Sequence, residues 1–354
     1  MRNRVITKIK SLTGSQGVGS DIALTMVIQG LLAIVAYITF VAITRSAGEE
    51  TVDLYNFVIA TLAITASALD FGIVAVAYPR LALGDPIEAP AMRTSFALRL
   101  RLLPFALLLL VGLLALSRRL DLLVASVVGF CVILVSGRFA GLRQIPEAVW
   151  RLKGRTWQVI GVSLVDGLIF LALILFVEQF GPPSVLTILL LLFVANVPGF
   201  FVVGLPILRR LRESKQPRIG PRYRRLFFLA AVPIGVMSIS SQLFAWLDVF
   251  IINGILGIDH VGEYAVAVKP ILGTVFIPVT VSIGLAPLIA QVHKRVRSDI
   301  SGADLASLGV RTVGLLGLSI GTIALLFAPQ IIRLSGEIYV QYAWILQVFT
   351  LTNL

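Results

Sequence analysis

Four ionisable residues stand where so apolar a chain has little reason to place them. Asp70, Asp166 and Lys269 interrupt hydrophobic runs long enough to cross a bilayer, and Asp248 stands at the end of another. A charge at mid-membrane costs about 3 kcal/mol even on insertion scales, so such residues face a bundle interior or a wet cavity. Carboxylates there suit a proton or cation relay, and a lysine suits an anionic group such as phosphate. The plainer reading is that each is a paired group holding helices together. Covalent chemistry has little to work with. The single cysteine, Cys131, excludes a disulfide within the chain and makes a thiolate metal site improbable. His260 and His293 fall in loops assigned to opposite faces, which excludes a paired-histidine zinc site. No Gly-rich phosphate loop, nucleophile elbow or HExxH pattern is present, so no catalytic residue, metal or cofactor is expected.

The elements that hold these residues follow from composition. Of 354 residues, 58% are hydrophobic and only 14% charged, and the mean hydropathy is +0.97. Soluble folds are about 45–50% apolar. Long apolar runs recur along the chain, and without water to satisfy backbone amides such runs must be helices. The reading is an all-α polytopic membrane protein of about ten spans. They are placed at Ile22 to Thr44, Leu54 to Pro79, Leu102 to Ser117, Leu122 to Gly137, Thr156 to Val177, Pro183 to Leu208, Leu226 to Leu247, Val261 to Val292, Thr312 to Ile332 and Ile338 to Leu354.

Basic residues orient them. Of 30 Lys and Arg residues, 25 fall in alternate segments: 2–10, 80–101, 138–155, 209–225 and 294–311. The positive-inside rule makes that side cytoplasmic, with the N-terminus inside. The same distribution explains the net charge of +12. The basics are dispersed as loop caps with no nucleic-acid motif, so no nucleic acid is expected, and the run from Arg209 to Arg225 suits anionic phospholipid headgroups. Residues Met1 to Leu12 carry Val5, Ile6, Ile9 and Leu12 at helical spacing opposite Arg4, Lys8 and Lys10, as in a helix lying on the inner surface. The 23-residue apolar run that follows lacks a small-residue cleavage site and reads as a retained span.

The chain also echoes itself. A shift of 209 residues aligns Ile43 with Ile252, Gly48 with Gly257, Val52 with Val261, Tyr55 with Tyr264, Thr65 with Thr274 and Ala77 with Ala286. The first two spans thus repeat in the seventh and eighth, in the same membrane direction. A parallel repeat implies two lobes about an axis along the membrane normal. Prolines within spans, among them Pro198, Pro206, Pro233, Pro270, Pro278 and Pro287, favour kinked helices.

The segment from Trp246 to Asn253, followed by Leu256-Gly257 and Val261 to Ala267, resembles the start of the second half of polysaccharide flippases in the multidrug/oligosaccharidyl-lipid/polysaccharide exporter superfamily. Its first-half counterpart is Gly48 to Tyr55, followed by Leu69 to Ile73. The resemblance implies a two-lobe, six-plus-six architecture with a central cavity. It divides the chain into residues 1–208, a basic cytoplasmic linker at 209–225, and 226–354. Members have at least twelve spans, so the second lobe is expected to be incomplete over these residues.

The implied activity is alternating-access export of an undecaprenyl-pyrophosphate-linked oligosaccharide across the cytoplasmic (inner) membrane, with the polysaccharide polymerase machinery as a partner. Lys269, and after it Arg45 and Arg138, are the candidates for the pyrophosphate. Asp248 is expected at a depth comparable to Lys269, as its resting partner. A drug or cation antiporter of the same superfamily would rely instead on Asp70, Asp166 and Asp248. A membrane-embedded glycosyltransferase or polymer ligase is disfavoured by short outer loops and scarce histidines.

Overall fold

A computed structural model describes residues 18–81, 88–153, 155–213, 220–272 and 302–353. The amphipathic stretch Met1 to Leu12, His293, Pro278 and Pro287 lie outside the described residues. All regular structure among the described residues is helical, as the absence of water in a bilayer requires. Among the described residues, seven helices are long and apolar enough to cross a membrane, with a shorter apolar segment at Leu120–Val135.

The helices run α1 (Val18–Ser46), α2 (Glu49–Asp70), α3 (Ile73–Leu81), α4 (Glu88–Leu116), α5 (Leu123–Val135), α6 (Gln144–Leu152), α7 (Thr156–Val177), α8 (Val185–Glu213), α9 (Pro221–Ile255), α10 (Val261–Leu272), α11 (Gly302–Leu326), α12 (Ala328–Arg333) and α13 (Ala343–Asn353). They form two compact units, residues 42–262 and residues 1–41 with 263–354.

In the larger unit α2 is the central helix. Its span is 89% buried, against 17–44% for the other candidate spans. Burial by protein rather than lipid explains why α2 tolerates Asn56, Thr61, Thr65 and Ser67: Asn56 Nδ2 and the two threonine hydroxyls donate to carbonyls four residues back. Glu49 and Glu50 stand in its first turn, where the helix dipole favours them. Around α2 pack α4, α5 and α9, while α8 lies between α5 and α7.

The second expected span, Leu54 to Pro79, is not one helix. The chain turns at Phe71 and Gly72, both in the left-handed region (φ 43° and 73°), and restarts as α3. The reason is a close approach to α9. A Cβ on Gly72 would stand 2.8 Å from the Ala231 carbonyl oxygen, and one on Gly235 would stand 2.7 Å from the Phe71 carbonyl oxygen. Two glycines thus let two backbones touch, and the Phe71 and Phe228 rings stack beside them at 5.8 Å. Below this turn Ile73, Val76, Met92, Ile145, Val149 and Phe227 join α3, α4, α6 and α9 in one apolar cluster.

Other boundaries move as well. The third span starts at Glu88 rather than Leu102, and the seventh extends from Pro221 to Ile255, so Asp248 lies about two turns before its end. Pro221 opens that helix at its first turn, where its missing N–H has no partner to lose.

In the smaller unit, the expected span Thr312 to Ile332 is interrupted at Phe327, because Pro329 opens the new helix α12. The last expected span enters through a 3-10 turn at Glu337–Tyr342 before α13. Gln347 Nε2 donates to the Leu325 carbonyl at 3.3 Å, Tyr37 Oη donates to the Ile331 carbonyl at 3.2 Å, and Tyr342 Oη bonds the Glu263 carboxylate.

Candidate functional site

The residues with chemistry gather mainly in the larger unit. Asp70 closes α2, and its Oδ1 accepts the Val74 N–H at 3.2 Å across the turn, capping α3. The same oxygen is ion-paired to Arg99 Nη2. Arg99 lies three turns into α4 and is fully buried. Its Nη1 donates to the Gly141 carbonyl, and Nη2 reaches Gln144 Oε1 at 3.4 Å. One carboxylate thus meets one guanidinium, and polar acceptors take other guanidinium donors.

Gln144 adjoins a second, denser site. Arg143, also fully buried, reaches Asp166 Oδ2 on α7 through Nη1 at 2.5 Å and Glu147 Oε1 on α6 through Nε at 2.8 Å. Its Nη2 lies 3.4 Å from Ser163 Oγ. Glu147 Oε2 accepts from Arg151 Nη2 at 3.2 Å, and the Arg151 side chain is 40% exposed. Residues 143, 147 and 151 follow one face at i, i+4, i+8, alternating Arg, Glu and Arg.

Two glycines make room. A Cβ on Gly137 would meet Glu147 Oε1, Ser163 Oγ and Arg143 Cζ, and one on Gly199 would meet both Asp166 carboxylate oxygens and Arg143 Nη1. Glu147 Oε1 and Asp166 Oδ1 are buried without an aligned donor, although Arg143 Nε is close to the former. Burial raises the Glu147 pKa above its ordinary value. Arg151 and Arg143 pull it back in part, and Asp166 pushes it further up.

Lys269, in the last turn of α10, belongs to the smaller unit. Its Nζ lies over the buried Phe40 ring of α1, 4.0 Å from the centroid, a cation–π contact that steadies a half-buried ammonium. Asp248 is half-buried on α9 in the larger unit, with Oδ1 accepting the Val249 N–H at 2.8 Å. Arg45 is exposed in the last turn of α1, where the dipole favours it. Arg138 is exposed beyond α5, its N–H donating to Ser136 Oγ at 3.1 Å.

Asp70 and Asp166 are each ion-paired to a buried arginine. Their partners were missed. Arg99 and Arg143 read as charges of cytoplasmic loops, yet both are buried inside the helical unit, as is Glu147. The i, i+4, i+8 alternation through 143, 147 and 151 was the available signal. No group of three or more metal-ligating side chains occurs among the described residues.

Comparison with known proteins gives one result. Residues 18–293 match the model of a family described as "Polysaccharide biosynthesis protein". No curated protein and no solved structure gives a significant match. A match over that much of an all-helical chain, with its membrane-length helices, places this chain in the polysaccharide biosynthesis protein family.

Proposed function

We propose that the protein is a multi-pass transporter that flips a lipid-linked oligosaccharide across the cytoplasmic membrane for cell-surface polysaccharide synthesis. The observation that carries this reading is the family match over residues 18–293. The many membrane-length helices agree with it. The buried arginines Arg99 and Arg143 are held in ion pairs, which agrees with a transport role. The charge distribution keeps the N-terminus in the cytoplasm.

Two lobes related by the 209-residue repeat are part of the proposal. Asp53 Oδ1 accepts the N–H of Gly262 at 2.5 Å, and these two residues are 209 apart. A residue touches its own repeat mate only close to the pseudo-symmetry axis, so the contact supports the repeat.

Lys269 is the proposed ligand of the lipid pyrophosphate. An ammonium on an aromatic ring keeps its charge partly desolvated and ready to exchange the ring for phosphate oxygens. Arg45 and Arg138 are secondary candidates.

Reconstitution of the intact protein in vesicles tests this. With normal insertion, Lys269→Gln is expected to abolish flipping of a lipid-pyrophosphate sugar, and Lys269→Arg to impair it less. Flipping that survives both changes removes Lys269 from the site. Vesicles that move cationic drugs and leave the lipid-linked sugar in place overturn the reading as a whole.

A further inference from the structure

The buried Arg143 cluster carries more negative charge than its buried arginine can match. Glu147 and Asp166, 1% and 5% exposed, both lean on one guanidinium that is 0% exposed. The balancing cation is Arg151, which stands at the rim with its side chain 40% exposed. The charge balance of the buried cluster thus depends on a cation that stands in contact with water. An uncompensated buried charge tends to neutralise itself by changing its protonation state.

We propose that Glu147, with Arg143 and Asp166, forms a proton-binding site that exchanges hydrons with water at the Arg151 rim. A hydronium ion delivers H⁺ to a carboxylate oxygen of Glu147. An O–H bond forms, one water molecule is released, and the cluster gains one positive charge.

Geometry supports the assignment at three points. Glu147 Oε1 is buried 2.8 Å from Arg143 Nε, and a carboxylate oxygen has a second lone pair that can take a proton while that contact is kept. Ser163 Oγ and Glu147 Oε1 both border the space above Gly137, which leaves a hydroxyl beside the acid. Arg151 holds the other oxygen, Oε2, at 3.2 Å and links it to the exposed rim. A metal cation is the wrong ligand here, because a guanidinium already occupies the space between the carboxylates.

The charges acting on Glu147 are Arg151, Arg143 and Asp166. Several other charged groups on the elements around α6 have partners of their own. Arg99 on α4 is paired to Asp70, and Arg93 on α4 donates to the Leu211 carbonyl at 2.6 Å. On α3, Arg80 donates to the Val76 carbonyl and lies over the Phe227 ring. From α8, Gly199 faces the cluster. The burial that raises the Glu147 pKa agrees with the site but does not define it.

The site is independent of Lys269 and of the substrate, so its test needs neither. The intact purified protein is titrated while the infrared C=O band of protonated carboxyl groups is followed. The expected result is a component that titrates above the ordinary glutamate range and disappears in Glu147→Gln. Arg151→Gln, a change at a partly exposed side chain, keeps the fold and removes one positive charge from Glu147. It is expected to move the midpoint up by roughly one pH unit, as loss of a single close opposite charge does. A wild-type band that titrates only in the ordinary carboxylate range overturns the proposal. So does a midpoint unmoved by Arg151→Gln. If Glu147→Gln does not fold, the Arg151→Gln shift alone decides.

Discussion

The Asp70 and Arg143 sites are made from the same two chemical groups in the same unit, yet they balance charge differently. At Asp70 one carboxylate meets one buried guanidinium, with the Gly141 carbonyl and Gln144 also receiving Arg99. At Arg143 two carboxylates share one buried guanidinium, and the compensating Arg151 is half in solvent. The first arrangement balances one charge with one opposite charge and suits a fixed strut between α2, α4 and the chain around the start of α6. The second is complete only with a contribution from the rim, which makes it sensitive to protons. Burial alone does not distinguish structural from responsive charges; stoichiometry does.

Breaking the arginines tests this contrast most strongly. Removing one partner of a buried pair costs about 3–5 kcal/mol. Arg143→Leu strands two carboxylates and Arg99→Leu one, so thermal unfolding at neutral pH is expected to show the larger loss for Arg143→Leu. That loss should shrink as pH falls, because stranded carboxylates protonate. The double change Asp70→Leu with Arg99→Leu is expected to recover most of the Arg99→Leu loss, since an apolar pair replaces a balanced ionic one. A double variant no more stable than the single would mean that the pair is not balanced.

The glycines sharpen the comparison at a smaller scale. Gly199→Ala drives a methyl into both Asp166 oxygens and Arg143 Nη1 and is expected to cost about 1–3 kcal/mol. Gly112 has nothing within 4 Å of its would-be Cβ, and alanine in that helix interior is expected to stabilise by about 0.5–1 kcal/mol. Equal melting temperatures for the two variants would remove the tight packing from the argument.

The pH dependence of stability carries a definite sign. A carboxyl with a raised folded-state pKa, as at Glu147, contributes stability that is fully present below its unfolded pKa and is lost as pH rises through the folded value. Melting temperature is therefore expected to fall across that interval in the wild type and to change less in Glu147→Gln. Phe40→Leu should have a small effect, opposite in sign to that of Gly112→Ala and of similar size. It removes the ring under Lys269 and is expected to cost about 0.5–1 kcal/mol of cation–π stabilisation, measured by the same melts.

Helical membrane character was legible from sequence because it is a summed property: the apolar runs are long, and a bilayer allows few other structures. The embedded acids Asp70 and Asp166 were legible for a related reason, since a charge among leucines demands a partner. The partners were not. Arg99 lies among residues that read as a loop cap, and nothing local shows that α4 begins at Glu88 and carries it inside. The break at Phe71 and Gly72 was hidden too, because its cause is Gly235 on a helix far along the chain.

By itself the sequence determined the solvent, the helical class and the positions where charge had to be explained. Those follow from hydropathy, period and spacing, which are properties of neighbours along the chain. Only the tertiary structure decided which guanidinium meets which carboxylate, and that Arg143 meets two. Ion pairing in a low-dielectric interior depends on distances of a few ångströms between helices, and those distances are set by packing.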